Sequence, residues 1–392
     1  MPLIAFSANY YYTRTMIIIR NLFKPIKNKL VTGNKIIILY GPRQVGKTTL
    51  IKTIIDSLNY KILAINADEK KYHEVLSSRD SNKLKAFVSG YDLLFIDEAQ
   101  RIPDIGINLK IIHDQIPTLK IIATGSSSFE LANKVREPLT GRTWTYQLFP
   151  IAMRELSQTY NRFELTTELE NRLIYGSYPE IFSIPNDQDK TQYLKELSEA
   201  YLYKDVLEIA NIKHASKLHD LLRLLAFQIG SQVSLSEIGT ILSINKETVS
   251  SYIDLLEKSF VLFRLHGFNR NLRKEVAKSD KIFFYDLGVR NAIIDNFYPL
   301  NQRMDAGALW ENFLIIERKK RLAYTLDYAN QYFWRLYTGA EIDYIEEKGE
   351  SLTGYEFKFS SKSIKPLKSW LETYPEAKFN LINKENYLDF VL

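Results

Sequence analysis

The sequence predicts an α/β protein: a parallel, helix-flanked sheet at the N-terminus, then a helical stretch, a unit of three helices and two strands, and an α+β end. Three observations carry this expectation. Between residue 35 and about residue 150, short aliphatic runs alternate with longer amphipathic segments, the pattern of buried parallel strands in βαβ units. From residue 151 to about 210 these runs stop and apolar residues recur at helical spacing, as over 192–207. Beyond residue 217 the order is three helices, a strand, a basic loop and a strand, followed by a helix and further strands. At roughly 100 to 200 residues per domain, the 392 residues suit two or three domains.

Each element follows from local chemistry. The runs at 36–40, 62–65, 93–96, 121–123 and 143–148 are the strands of the first sheet. Residues 218–228 have a helical pattern. Ser234 and Glu237 form a capping box that opens a short helix ending at Leu242, and Asn245 is placed to cap a helix over 246–259. Residues 260–268 and 281–285 read as strands around the loop 269–280. A helix up to residue 322 opens the last part, and strands at 332–337, 342–345 and 355–359 follow, joined by turns at Gly339 and Gly349. The aromatic stripe over 324–344 reads as sheet packing.

Composition excludes several kinds of chemistry. The chain has no cysteine, which removes disulfides, thiolate nucleophiles, iron–sulfur clusters and cysteine-type zinc sites. Its histidines (73, 113, 214, 219 and 266) are nowhere three or four apart, so no two imidazoles share a helix face as metal ligands. No stretch reaches the roughly 18 to 20 apolar residues of a membrane span, and residues 1–20 lack a signal core. A cytoplasmic location and no membrane partner are expected. The net charge of +6 with pI near 9.0 points to a polyanionic partner.

The most specific motif is Gly41-Pro42-Arg43-Gln44-Val45-Gly46-Lys47-Thr48, followed by Thr49. It has the spacing G-x-x-x-x-G-K-[ST] and lies between a buried strand and a helix. The glycines let backbone N–H groups turn toward phosphates, Lys47 brings a point charge to them, and the Thr48 hydroxyl suits Mg²⁺. Asp97 ends a buried strand, which carries its carboxylate to the same edge, where it can hold the same Mg²⁺. Glu98 is the candidate base for an attacking water. Thr124 and Ser126 end another strand; they read either as sensors of the terminal phosphate or as ordinary turn residues.

With Leu139-Thr140-Gly141-Arg142, these motifs resemble the AAA+ ATPase core, a P-loop NTPase fold. More narrowly, the chain resembles bacterial and archaeal predicted ATPases whose C-terminal half is a domain of unknown function. Further matches are Gly176-Ser177-Tyr178-Pro179-Glu180, Trp310-Glu311-Asn312-Phe313, Tyr332-Phe333-Trp334-Arg335 and Gly339-Ala340-Glu341-Ile342-Asp343-Tyr344. The resemblance implies ATP and Mg²⁺ as cofactors and ATP hydrolysis as the activity. For Arg142 it implies a finger to the terminal phosphate, in cis or from a neighbouring subunit; a structural pair with a carboxylate is the other reading.

The order of elements after residue 217 is that of a winged helix-turn-helix, with 246–259 as recognition helix and Lys246 near its groove-facing end. Its wing is basic: Arg264, Arg270, Arg273, Lys274, Lys278 and Lys281 face Glu275 and Asp280. DNA binding and a scaffold role both fit this unit. In the last part, Asp343 and the strand Glu356-Phe357-Lys358 fit the D…(D/E)-x-K pattern of restriction-endonuclease-like folds, with Glu311 and Glu341 nearby. Residues i and i+2 of a strand share a face, so Glu356 and Lys358 point together. Asp343 and Glu356 are then a candidate second metal site, for cleaving nucleic acid or only binding it.

Four parts are therefore expected: an AAA+ P-loop domain over 1–150, a helical lid or connector over 151–215, a winged helix-turn-helix over 216–300 and an α+β restriction-endonuclease-like domain over 301–392. The expected function is ATP hydrolysis coupled to DNA, a protein partner or a second copy of the chain. The alternatives are a nucleotide-switched binding module with little turnover, or a metal-dependent nuclease.

Overall fold

Five strands build the first sheet: β1 (Ile36–Tyr40), β2 (Ile62–Asn66), β3 (Leu93–Asp97), β4 (Lys120–Gly125) and β5 (Thr143–Gln147). All pair in parallel, in the order β2-β3-β4-β1-β5. The computed structural model describes residues 18–126, 139–200, 215–269, 280–336, 339–360 and 368–392.

The near-continuous Ile/Leu character of the central strands follows from burial on both faces. Ile37, Leu39, Leu93, Phe95 and Ile122 face one core, while Ile36, Ile38, Leu94, Ile96 and Ala123 face the other. Each fully buried aliphatic side chain contributes on the order of 1.5–3 kcal/mol. The two cores differ in reach. The second is closed by the helices Ser81–Val88 and Ile105–Gln115. The first runs on through Leu173, Leu225, Phe283 and Trp310 to Val391, so the sheet's first face packs continuously with the C-terminal half.

After β5 come the helices Met153–Leu156, Arg162–Thr167, Leu169–Tyr175 and Asp187–Ala200. Among the described residues three more follow: Ala215–Phe227, Leu235–Leu242 and Lys246–Lys258. Their ends match the local chemistry. Glu237 N–H donates to Ser234 Oγ (3.3 Å), Thr248 N–H donates to Asn245 Oδ1 (2.7 Å), and Ser243 turns between the second and third in the left-handed conformation (φ 54°).

The hairpin β6 (Leu262–Gly267) and β7 (Lys281–Phe284) then joins a six-stranded mixed sheet. The other strands are β8 (Asn330–Arg335), β9 (Glu341–Lys348), β10 (Ser351–Phe357) and β11 (Lys378–Ile382), in the order β11-β10-β9-β8-β6-β7. β6 pairs in parallel with β8 through His266↔Tyr332 and Gly267↔Phe333. One sheet thus spans residue 300. The 20-residue helix Ala306–Thr325 connects its two parts. The aromatic stripe is largely core, with Phe333, Trp334 and Tyr344 buried and Tyr328 exposed.

A tight contact joins the helical stretch to β7. Gly176 has φ 69° and ψ −154°, a region open essentially to glycine alone. A Cβ there would lie 2.1 Å from Asp286 Oδ1. Asp286 is buried, accepts from Ser177 N–H (2.7 Å) and Val289 N–H (3.1 Å), and caps the helix Leu287–Ile293.

Candidate functional site

The loop between β1 and the helix Lys47–Asp56 lies at the carboxyl edge of the parallel sheet. Gly41 is required by close approach: Leu148 N–H donates to Tyr40 O (2.8 Å), and a Cβ on Gly41 would sit 2.1 Å from the Leu148 carbonyl oxygen. Gln44 (φ 57°) and Gly46 (φ 90°) turn the loop through left-handed backbone. Lys47 is buried, and its Nζ donates to the carbonyls of Gly41 (2.8 Å) and Pro42 (2.7 Å). The ammonium therefore lies inside the loop it serves.

The carboxyl ends of β3 and β4 converge on the same place. Thr48 Oγ1 donates to Asp97 Oδ2 (2.7 Å), and Thr124 Oγ1 donates to Asp97 Oδ1. Both carboxylate oxygens of Asp97 are thus engaged by hydroxyls, one from the loop's helix and one from β4. Glu98 follows in the left-handed conformation (φ 52°), an observed strain next to a polar site. Gln100 Nε2 bridges Glu98 Oε2 (2.5 Å) and Ser126 Oγ (3.0 Å). Thr48, Asp97, Glu98, Thr124 and Ser126, chosen from sequence, therefore fall into two neighbouring networks, Thr48–Asp97–Thr124 and Glu98–Gln100–Ser126, and Gln100 is the member that sequence reading missed. Its signal was its place in the turn directly after Asp97 and Glu98.

Arg142 is placed elsewhere. It precedes β5, at the amino edge of the sheet, where its carbonyl accepts from Ile36 N–H (2.9 Å). Its guanidinium makes a two-pronged pair with Asp114 (2.8 and 3.1 Å), which holds the Asp114 carboxyl below the usual range. At ~3.3 Å per residue the length of a strand separates it from the phosphate loop of its own chain. A role as a finger in cis is thus corrected to a structural pair. At the loop's tip, Tyr193 of the helix Asp187–Ala200 donates to Gln44 Oε1 (2.9 Å), so the helical stretch touches the loop directly.

Residues 33–157 match the model described as AAA domain. Residues 306–389 match a domain of unknown function (DUF4143). The chain carries an AAA domain and a C-terminal domain of unknown function. A further domain of unknown function (DUF8612) matches residues 166–299. An uncharacterized protein of Mycobacterium tuberculosis is 26% identical over 330 residues, covering 83% of this chain and 70% of its own. One from Methanocaldococcus jannaschii is 24% identical over 318 residues, covering 76% and 69%. Among solved structures, the Walker-type ATPase paby2304 of Pyrococcus abyssi is similar with a TM-score of 0.49 at 16% identity, covering 71% of this chain and 97% of that one.

Beyond the AAA domain, the residues expected to meet nucleic acid separate. Lys246 is exposed and lines a groove of about 400 Å³ with Ser236, Thr240 and Asn245. Arg264 does not face outward. Its guanidinium is held by Asp254 (2.5 Å), Glu257 (3.0 Å) and Asp280 (3.8 Å), so its charge is spent inside the protein. Arg270, Arg273, Lys274 and Lys278 lie outside the described residues.

In the C-terminal domain, β9 and β10 bring Asp343 and Glu356 together, as the spacing predicts. Asp343 Oδ2 accepts from Phe357 N–H (2.8 Å), and Lys358 Nζ pairs with Glu356 (2.7 Å). Lys281, expected in the basic wing, is corrected to an inward-facing residue. Its buried ammonium pairs with Glu311 (3.0 Å) and with Glu341. Burial lifts the Glu311 carboxyl to about 7 although Lys281 opposes the rise, and burial also raises Asp343 and Glu356. Among the described residues no group of three or more His, Asp or Glu side chains is arranged to hold a metal ion. Of the acids expected to hold a metal, Asp343 accepts from a backbone N–H and Glu356 pairs with Lys358, while the buried Lys281 ammonium lies beside Glu311 and Glu341. Among the described residues, no helix is long and apolar enough to cross a membrane.

Proposed function

We propose that the AAA domain binds ATP with Mg²⁺ at the loop Gly41 to Thr48, hydrolyses it, and passes the change to a DNA or protein partner through the C-terminal half. The observation that carries this reading is the Thr48–Asp97–Thr124 network at the mouth of a phosphate-type loop. The Thr48 hydroxyl and the Asp97 carboxylate are adjacent oxygen donors, the ligand type that Mg²⁺ prefers. When bound, the ion would neutralise charge between the two outer phosphates. Lys47 exchanges its carbonyl partners Gly41 and Pro42 for phosphate oxygens. Glu98, steadied by Gln100, takes the proton of the attacking water.

Lys47→Ala is expected to abolish binding of a fluorescent ATP analogue, and Glu98→Gln to keep binding while stopping phosphate release. Unchanged hydrolysis by Glu98→Gln would remove the base assignment. One observation favours a second reading, a nucleotide-switched binding module with little turnover: the Glu98 carboxylate is already engaged by Gln100, which restrains it as a base. Steady-state phosphate release with and without duplex DNA separates the two, because a switch shows slow turnover that DNA leaves unchanged.

A further inference from the structure

One side chain outside the phosphate loop is built into its underside. Arg20 Nη1 donates to Val45 O (2.6 Å), Nη2 donates to Phe149 O (2.6 Å), and Nε pairs with Glu155 Oε1 (2.9 Å). The Arg20 side chain is 9% exposed, and that of Glu155 is fully buried. Glu155 also accepts from Asn21 N–H and Ala152 N–H (both 2.9 Å), so its position is fixed from three sides. Burial would lower the Arg20 pKa, but Glu155 and Tyr324 together outweigh it and keep the guanidinium charged.

The geometry assigns a direction to this contact. In a trans peptide the C=O and the following N–H point to opposite sides. Holding the Val45 carbonyl toward Arg20 therefore turns the Gly46 N–H away from Arg20, toward the inside of the loop where phosphates are cradled. The guanidinium lies close beneath, since a Cβ on Gly46 would be 3.6 Å from Nη1. A buried positive charge below the loop adds to the attraction for an anion above it.

The same guanidinium reaches the C-terminal domain in one further step. The segment from Phe149 to Glu155, which Arg20 grips, is held on its other side by the helix Ala306–Thr325. Phe149 N–H donates to Tyr324 Oη (3.1 Å), Met153 N–H donates to Glu317 Oε2 (2.7 Å), and Lys320 Nζ donates to Ile151 O (3.1 Å). Val45, Arg20, Phe149 and Tyr324 thus form an unbroken chain of hydrogen bonds from phosphate loop to C-terminal helix.

We propose that Arg20 is a positioning residue of the nucleotide site: it presents the Gly46 N–H to phosphate and makes occupancy of the loop felt by the helix Ala306–Thr325. This rests on the loop being an ATP site. The test uses the full chain and its Arg20→Gln, Arg20→Lys and Tyr324→Phe variants. Binding of a fluorescent ATP analogue with Mg²⁺ is titrated, and amide hydrogen exchange of residues 306–325 is followed with and without ATP. The parent chain is expected to bind and to show slower exchange in that helix when ATP is present. Arg20→Gln should weaken binding about tenfold or more, the loss of one or two charge-assisted hydrogen bonds. Arg20→Lys should recover part of it. Tyr324→Phe should weaken binding less than Arg20→Gln and lose the ATP-dependent slowing, because it removes the hydroxyl that joins Phe149 to the helix. If Arg20→Gln does not fold, Arg20→Lys and Tyr324→Phe carry the decision. Parent-like affinity in every Arg20 variant, or parent-like slowing in Tyr324→Phe, overturns the proposal. A parent chain that binds no ATP overturns the nucleotide reading itself.

Discussion

Replacing Gly176 by Ala tests the junction between the helical stretch and β7 most directly. Two costs add. The backbone at φ 69° and ψ −154° is strained for any residue with a side chain, by about 1–3 kcal/mol. The new Cβ would stand 2.1 Å from Asp286 Oδ1 and 2.6 Å from Cγ, so the carboxylate must retreat by more than about 1 Å to reach ordinary contact. It then gives up at least one of its bonds from Ser177 N–H and Val289 N–H, each worth about 1.5–3 kcal/mol to a charged acceptor. Together these predict a loss of ~3–5 kcal/mol. Thermal unfolding is the assay; at roughly 2–4 °C per kcal/mol the midpoint should fall by about 6 °C or more. Asp286→Ala in the Gly176→Ala background should cost less than the sum of the single changes, by ~1 kcal/mol or more, because the clash has lost one partner. A Gly176→Ala midpoint within about 2 °C of the parent, or strict additivity, would refute the reasoning.

Other outcomes follow from the charges. Arg264→Ala leaves Asp254, Glu257 and Asp280 without their shared cation and should cost ~2–3 kcal/mol in unfolding experiments, while any affinity for DNA stays within about twofold. For Asp305, burial pushes the carboxyl up, but Arg303 and Arg290 draw it further down, to about 2. Its folded value lies below the ordinary 3.8, so its stabilisation is present above pH 4 and lost as pH falls through about 2. Asp305→Asn should therefore lose ~1–2 kcal/mol at neutral pH, after allowance for its partial exposure, and show a flatter acid limb in urea titrations. Glu311 has the opposite sign: its folded value of about 7 lies above the ordinary 4.5, so stability falls as pH rises between them. Glu311→Gln should flatten that slope, and an unchanged slope between pH 4.5 and 7 would show that Glu311 does not titrate there.

The candidate nucleotide site was legible because its parts are encoded locally. A glycine loop between a strand and a helix, and an acid ending a buried strand, each declare themselves within a few residues, and the parallel sheet brings Thr48, Asp97 and Thr124 to one edge. The helix caps at Ser234 and Asn245 were legible for the same reason. Contacts between residues distant in sequence were not. Lys281 meets Glu311 across 30 residues, and Arg20 meets Glu155 across 135, with no periodicity to announce either. Arg264 reads as part of a basic wing until Asp254 and Glu257, on the preceding helix, are seen to fold back onto it. A count of basic residues cannot tell a charge offered to solvent from one already matched.

The parallel pairing of β6 with β8 bears on how such a chain can be rearranged over time. A recombination breakpoint near residue 300 would divide a single sheet, leaving β8 on one piece and its neighbour β6 on the other. Each fragment would carry a raw strand edge with unpaired N–H and C=O groups, an invitation to self-association. The smallest piece that can be exchanged with its sheet intact therefore reaches back to the hairpin β6–β7, and a C-terminal domain transplanted without that hairpin begins as half of a structure.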